Sequence, residues 1–281
     1  MMLLPGFAPL ADKYDGFILD LWGVIHNGIA PYPSAVDCLL HLAGRPVLLL
    51  SNAPRRAESV RRTLRRLGIE DALYTHILTS GEAAWQALKD RTDPWFASLG
   101  PRIYHLGPAR DRGVIDGLGL EIVSEPADAD FVLNTGPDDE RETADLASFT
   151  DELTACLRAQ LKMICANPDL EIVRGDQRIL CAGTLAAWYA AQGGDVRWIG
   201  KPDPAIYQRA LSMLSLRAAR VLAVGDSLRT DIAGAASAAL DSVWVLSGIH
   251  AAELGSDEGR AANAAAKAGL SPTAILRNFS W

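Results

Sequence analysis

Long apolar runs are absent from this 281-residue chain: none reaches the roughly 18 to 20 residues that a membrane-spanning helix needs. The opening Met1-Met2-Leu3-Leu4-Pro5-Gly6 also lacks the length and basic flank of a secretory signal, so the expectation is a cytoplasmic protein with no membrane partner. Cysteine is scarce. Cys38, Cys156, Cys165 and Cys181 include no Cys-x-x-Cys pair and sit inside apolar segments, which suits buried, reduced thiols. The histidines His26, His41, His76, His105 and His250 are equally scattered, and a structural zinc site needs clustered ligands. Basic excess is missing too: 27 Lys and Arg against 34 Asp and Glu give a net charge of −7, which argues against a nucleic-acid partner. A small phosphate pocket can still be locally positive in such a chain. No internal repeat or low-complexity linker is visible, and 49% hydrophobic content leaves room for one large or two moderate domains.

What is present is a series of short apolar runs that stop on polar residues. Phe17-Ile18-Leu19 ends on Asp20, and Gly23 then lets the backbone turn away. In an open α/β sheet the carboxyl ends of strands face the ligand crevice, so Asp20 is placed to bind a metal or attack an electrophile; a turn-forming aspartate is the open alternative. Pro46 to Leu50 delivers Ser51 and Asn52 to the next strand end, where they meet an anion or simply cap the following helix. Helices are expected over 33–44, 54–67 and 82–89. The arginines of the second, from Arg55 to Arg66, flank an apolar stripe and read as a solvated face.

From about residue 90 the pattern restarts. Strands are expected at 103–107, 131–134 and 161–166, with a helix near 142–159 and loop signals at Asn134 to Pro137 and Asn167-Pro168-Asp169. This block reads as a small domain of its own. A helix over 182–192 follows, then Lys201, held between Gly200 and Pro202-Asp203-Pro204, and a helix over 204–214. Val221 to Gly225 is another buried strand that stops on a carboxylate, Asp226, with Ser227 next and Asp231 five residues on from Asp226. Two apolar strands now end in aspartate, which favours a shared site over two unrelated turns. Ser242 to Leu246 is the next strand, and the Ala-rich tail reads as helical.

Asp20, Ser51, Lys201, Asp226 and Asp231 have a joint chemistry. Carboxylates make an oxygen site for Mg²⁺, lysine and serine orient a phosphoryl group, and one carboxylate remains as nucleophile. The order and spacing resemble the haloacid dehalogenase superfamily over essentially the whole chain. The resemblance implies an α/β fold: a Rossmann-like parallel-sheet core, residues 1–80 and 182–281, with an inserted α/β cap over 81–181. Asn52, Ala166 to Asp169 and Ile199-Gly200-Lys201-Pro202 are similar to the subgroup with this large cap, which includes nitrophenyl-phosphatase-like and sugar- or nucleotide-phosphate phosphatases. It implies Asp20 as nucleophile, with Ser51, Asn52, Lys201 and cap residue Asn167 on the substrate. It also implies Mg²⁺ on Asp20, Asp226 and the backbone carbonyl at Trp22, with Asp231 and Ser227 supporting those ligands from behind.

One departure matters. Phosphatases of the superfamily carry a second aspartate two residues after the nucleophile, where this chain has Trp22. That aspartate handles protons for the leaving group and for water, help worth about 10² to 10⁴ in rate. His26, with an ordinary pKa near 6.5, is a candidate substitute in the loop, and a partly exposed loop histidine with no such role is the favoured alternative. The expected function is Mg²⁺-dependent hydrolysis of a small phosphate ester. The alternatives are cleavage of a carbon–halogen or carbon–phosphorus bond, or a low-turnover protein that binds a phosphate ligand. A homodimer is one expectation for its assembly.

Overall fold

The computed structural model describes residues 2–174, 177–255 and 257–281; Met1 of the N-terminal segment read above lies outside them. Seven strands form one sheet, in the order β1 (Met2–Leu4), β14 (Ala274–Leu276), β13 (Asp241–Val245), β12 (Val221–Gly225), β2 (Gly16–Asp20), β3 (Val47–Ser51) and β4 (His76–Thr79). Every neighbouring pair is parallel. In β2, side chains alternate between faces: Phe17 and Leu19 enter a cluster with Leu39, Leu49 and Val224, while Ile18 packs with Leu48, Leu50 and Tyr207 on the other side. Both faces are therefore covered, which is why these strands read as continuous apolar runs. The register sets Leu19 beside Val224 and Asp20 beside Leu50, so the carboxyl ends of β12, β2 and β3 lie side by side at the centre of the sheet.

A second parallel sheet has the order β11 (Val196–Trp198), β8 (Lys162–Cys165), β7 (Phe131–Asn134), β5 (Arg102–Leu106) and β6 (Glu121–Val123). An antiparallel pair, β9 (Glu171–Arg174) and β10 (Gln177–Leu180), stands apart from both. The chain leaves the first sheet along the helix Ser80–Asp90 and returns at Lys201. The five-stranded sheet draws on residues beyond the expected boundary at 181. Helix Ala182–Ala191 buries Leu185, Ala186 and Tyr189 against Val132 and Met163, and β11 pairs with β8, so residues 182–198 belong with the five-stranded sheet. The apolar Leu185 and Tyr189 are buried by Val132, Met163 and Cys165 of β7 and β8.

The expected helix over 142–159 is also shorter. Asp145 accepts a hydrogen bond from the Ser148 amide, a single tight turn follows, and the α-helix is confined to Thr150–Arg158. All four cysteines are buried and unpaired. Among the described residues no helix is long and apolar enough to cross a membrane.

Candidate active site

The strand ends of the seven-stranded sheet converge on one ammonium group. Lys201 Nζ donates to Asp20 Oδ1 at 2.5 Å and to Asp231 Oδ1 at 2.7 Å, with the Leu50 carbonyl 3.4 Å away. Lys201 is only 3% exposed, so burial pulls its pKa down, but the charges of Asp20 and Asp231 outweigh that and hold it well above the ordinary lysine value. Asp231 spends its other oxygen on the Ser227 amide at 3.1 Å, and its own carbonyl accepts from Tyr207 at 3.0 Å. It is a fixed counter-charge.

Asp226 follows the end of β12. Its Oδ2 accepts from the Ile249 amide at 2.6 Å, and its carbonyl accepts from the Trp244 indole at 2.8 Å. Gly23 lies against it so closely that a Cβ there would come within 2.1 Å of Oδ2, and the positive φ of 77° independently favours glycine. Oxygens of Asp20, Asp226 and Asp231 all lie within 4.8 Å of one another. Asp20 Oδ2 and Asp226 Oδ1 accept no hydrogen bond among the described residues. Burial pushes the Asp20 carboxyl up to about 8 against the lowering pull of Lys201, and burial followed by the charges of Asp20 and Asp231 pushes Asp226 well above the carboxylate range. Three carboxylates face one ammonium. That deficit of positive charge, with hard oxygen donors left over, fits a small divalent cation.

Ser51 ends β3, beside Asp20, and its Oγ accepts from the Ala53 amide at 3.2 Å. Asn52 ties two elements together: its Oδ1 accepts from the Lys201 amide at 2.8 Å, and its Nδ2 donates to Asp169 Oδ1 at 2.9 Å and to the Lys201 carbonyl at 3.1 Å. Asp169 comes from the loop after β8, where Asn167 Oδ1 accepts from the Asp169 amide at 3.0 Å. Ser80 donates to the Ala166 carbonyl at 2.5 Å and Arg229 donates to that of Pro168. The loop from 166 to 169 is thus anchored directly over the strand ends.

A cavity of about 620 Å³ lies between the two sheets, within the range of small-ligand sites. Asp20, Trp22, Ser51, Asn52, Asn167, Lys201, Asp226, Ser227 and Asp231 all line it, so nine of the ten residues singled out in the sequence meet at one place. His26 is the exception. It is 4% exposed, does not reach the cavity, and its Nδ1 accepts from the Gly28 amide at 3.0 Å. Burial drives its pKa down to about 4, so near pH 7 it is neutral and not the acidic imidazolium. His26 instead packs edge-on to the Trp22 ring at 5.3 Å between centroids. A Cβ on Gly28 would fall 2.2 Å from that indole, so the loop leaves room for the bulk of Trp22.

Sequence reasoning missed Arg55, and it named Asp169 only as part of a loop motif. Arg55 Nε donates to buried Asp111 Oδ1 at 2.6 Å, linking the loop after β3 to the second sheet and lining the cavity, whereas the sequence put it on a solvated helix face. The helix begins only at Ala57, and the Pro54 before Arg55 was the available signal that Arg55 belongs to a loop.

The geometry has counterparts in known proteins. A haloacid dehalogenase-like hydrolase model matches residues 17–121 and a HAD-hydrolase-like model matches residues 198–278. D-glycerol 3-phosphate phosphatase of Mycobacterium tuberculosis is 32% identical over 248 residues, which is 86% of this chain; the chain spans 66% of that relative's length, just under two thirds. Acid sugar phosphatase of Staphylococcus aureus is 26% identical, over 86% of this chain and 90% of its own. The crystal structure of a haloacid dehalogenase-like family hydrolase from Brucella suis superposes with a TM-score of 0.84 at 30% identity, covering 98% of this chain and 99% of that one. A match of that identity along nearly the full length of both chains, joined to strand ends carrying Asp20, Ser51, Lys201 and Asp226 in the family's order, places this chain among the haloacid dehalogenase-like hydrolases.

Proposed function

We propose that this hydrolase cleaves small phosphomonoesters through an aspartyl-phosphate on Asp20, with Mg²⁺ as its cation. The observation that carries this reading is the buried Lys201 ammonium, shared between Asp20 and Asp231 at the mouth of β2. A lysine so placed neutralises the phosphoryl oxygens and keeps Asp20 aimed. Ser51 and Asn52, at the end of the adjacent strand, offer a hydroxyl and backbone amides to the same group. Asp20, Asp226 and the Trp22 carbonyl would hold the cation, which when bound offsets the surplus carboxylate charge and the charge of the phosphate. The names of the mycobacterial and staphylococcal relatives support glycerol phosphates and sugar phosphates as the first esters to try.

In this reading residues 81–198 form a cap that closes the cavity over the ester, and Asn167 contacts the substrate from above. The experiment is release of inorganic phosphate from a panel of phosphate esters by the purified protein, with Mg²⁺ and after chelation. Asp20→Asn is nearly isosteric but cannot attack phosphorus, so it should lower turnover by on the order of 10³-fold or more while circular dichroism stays unchanged. Full activity in that variant would remove Asp20 as nucleophile.

A further inference from the structure

Trp22 occupies the position where a carboxylate would handle protons, and His26 does not line the cavity. The group that does must face the cavity from the side opposite Asp20, because an in-line displacement expels the leaving group away from its nucleophile. That side is built by residues between the two parts of the seven-stranded sheet, and the carboxylates they bring to the cavity are Asp111, Glu142, Asp169 and Glu171. Asp111 is held by Arg55, Glu142 by Arg174 at 2.7 Å, and Glu171 by Arg178. An acid locked in an ion pair is a poor proton donor.

Asp169 differs from all three. Among the described residues no basic side chain forms an ion pair with it, and its partner is the neutral Asn52 amide, which takes only Oδ1. The loop that carries it is anchored by Ser80, Asn52 and Arg229, so the carboxyl is fixed rather than trailing into solvent. We infer that Asp169 is the catalytic residue that protonates the leaving group, in place of the carboxylate that Trp22 displaces. The inference rests on the phosphatase reading. Burial also raises the Asp169 pKa above the ordinary carboxylate value, partly opposed by Lys201 and Asn52, with Asp231 and Arg229 as the other charges it feels; this favours the protonated form the role requires.

The step balances without an added reagent. Asp20 Oδ forms a bond to phosphorus as the phosphorus–oxygen bond to the leaving group breaks, and the departing oxygen takes the Asp169 proton to leave as an alcohol. Water then attacks phosphorus and gives its proton to the Asp169 carboxylate, while the bond between Asp20 Oδ and phosphorus breaks and inorganic phosphate leaves. Asp20 and the protonated Asp169 are restored.

Asp169→Asn is the variant of choice, since its amide oxygen still accepts from Asn52 while the acidic proton is gone. Phosphate esters of graded leaving-group acidity, from p-nitrophenyl to simple alkyl, are compared on wild type and variant at fixed Mg²⁺. The expected result is a loss on the order of 10²- to 10⁴-fold in kcat/KM for alkyl esters and less than about tenfold for p-nitrophenyl phosphate, which needs little protonation. Asp169→Glu, which keeps an acid on a longer arm, should recover part of the alkyl activity. Equal losses across the series would make Asp169 a structural latch, and no loss would remove it from the reaction; either overturns the inference. Thermal melting identifies a variant that has not folded, and Asp169→Ser, which also lacks the acid, then takes its place with the same expected and overturning results. A wild type inert toward the whole panel overturns the phosphatase reading itself and this assignment with it.

Discussion

Two parallel sheets face each other across the cavity, and both end strands on polar side chains, but among the described residues the two sets differ in charge. In the seven-stranded sheet, β2 and β12 lead into Asp20 and Asp226, which crowd with Asp231 around a single lysine. In the five-stranded sheet, β7 ends on Asn134, whose Nδ2 donates to the Ala182 carbonyl at 3.0 Å while its Oδ1 accepts from the Gly136 amide at 3.1 Å. Asn134 is wholly buried, neutral and satisfied. The same architecture therefore gathers buried charge at one strand end and packs a neutral side chain at the other. The difference is uncompensated charge: a satisfied amide has nothing left to offer a ligand, whereas surplus carboxylate oxygens await a cation.

The comparison breaks most sharply at Lys201. Lys201→Met leaves Asp20 and Asp231 buried without their counter-charge, and breaking such a pair typically costs about 3 to 5 kcal/mol. Chemical denaturation should show that loss together with collapse of phosphatase activity. Asn134→Ala should cost only about 1 to 3 kcal/mol and leave kcat within a few-fold of wild type, because it strands one carbonyl and one amide away from the reacting atoms. A stable, active Lys201→Met protein would mean that the charge cluster is ornamental.

A second test separates cation from phosphate within the seven-stranded sheet. Asp226→Ala should weaken Mg²⁺ binding by calorimetry at least tenfold, whereas Ser51→Ala should leave Mg²⁺ affinity nearly unchanged and raise KM for the ester. Equal metal affinity in wild type and Asp226→Ala would refute the ligand assignment.

The smallest expected effect compares two histidines, one from each unit. Burial lowers both His26 and His105 from 6.5 to about 4, so the folded protein keeps them neutral where an unfolded chain would already bind protons. Their contribution to stability is complete above about pH 6.5 and is lost as pH falls from there through about 4. Melting temperature should fall across that window in wild type, and His26→Gln or His105→Gln should each flatten part of the fall. Unaltered slopes in both variants would place the acid sensitivity elsewhere.

The sequence alone determined the apolar strands, their alternating burial and the polar residues that close them. Those properties are local: a run buried on both faces must be apolar, and the residue that leaves the sheet must turn. Asp20, Ser51, Lys201, Asp226 and Asp231 were legible for that reason, and so was their family resemblance. Only the tertiary structure decided the rest. His26 read as an exposed loop histidine or a loop acid because a sequence does not show that its ring is buried beside Trp22, where burial lowers its pKa. Residues 182–198 looked like part of the first sheet because their apolar pattern fits any partner, and they pack against β7 and β8. Arg55 meets Asp111 across 56 positions and Asn52 meets Asp169 across 117, contacts that no local pattern encodes. Charge pairing and burial depend on which distant segments share a volume, and that is settled only when the two sheets close on each other.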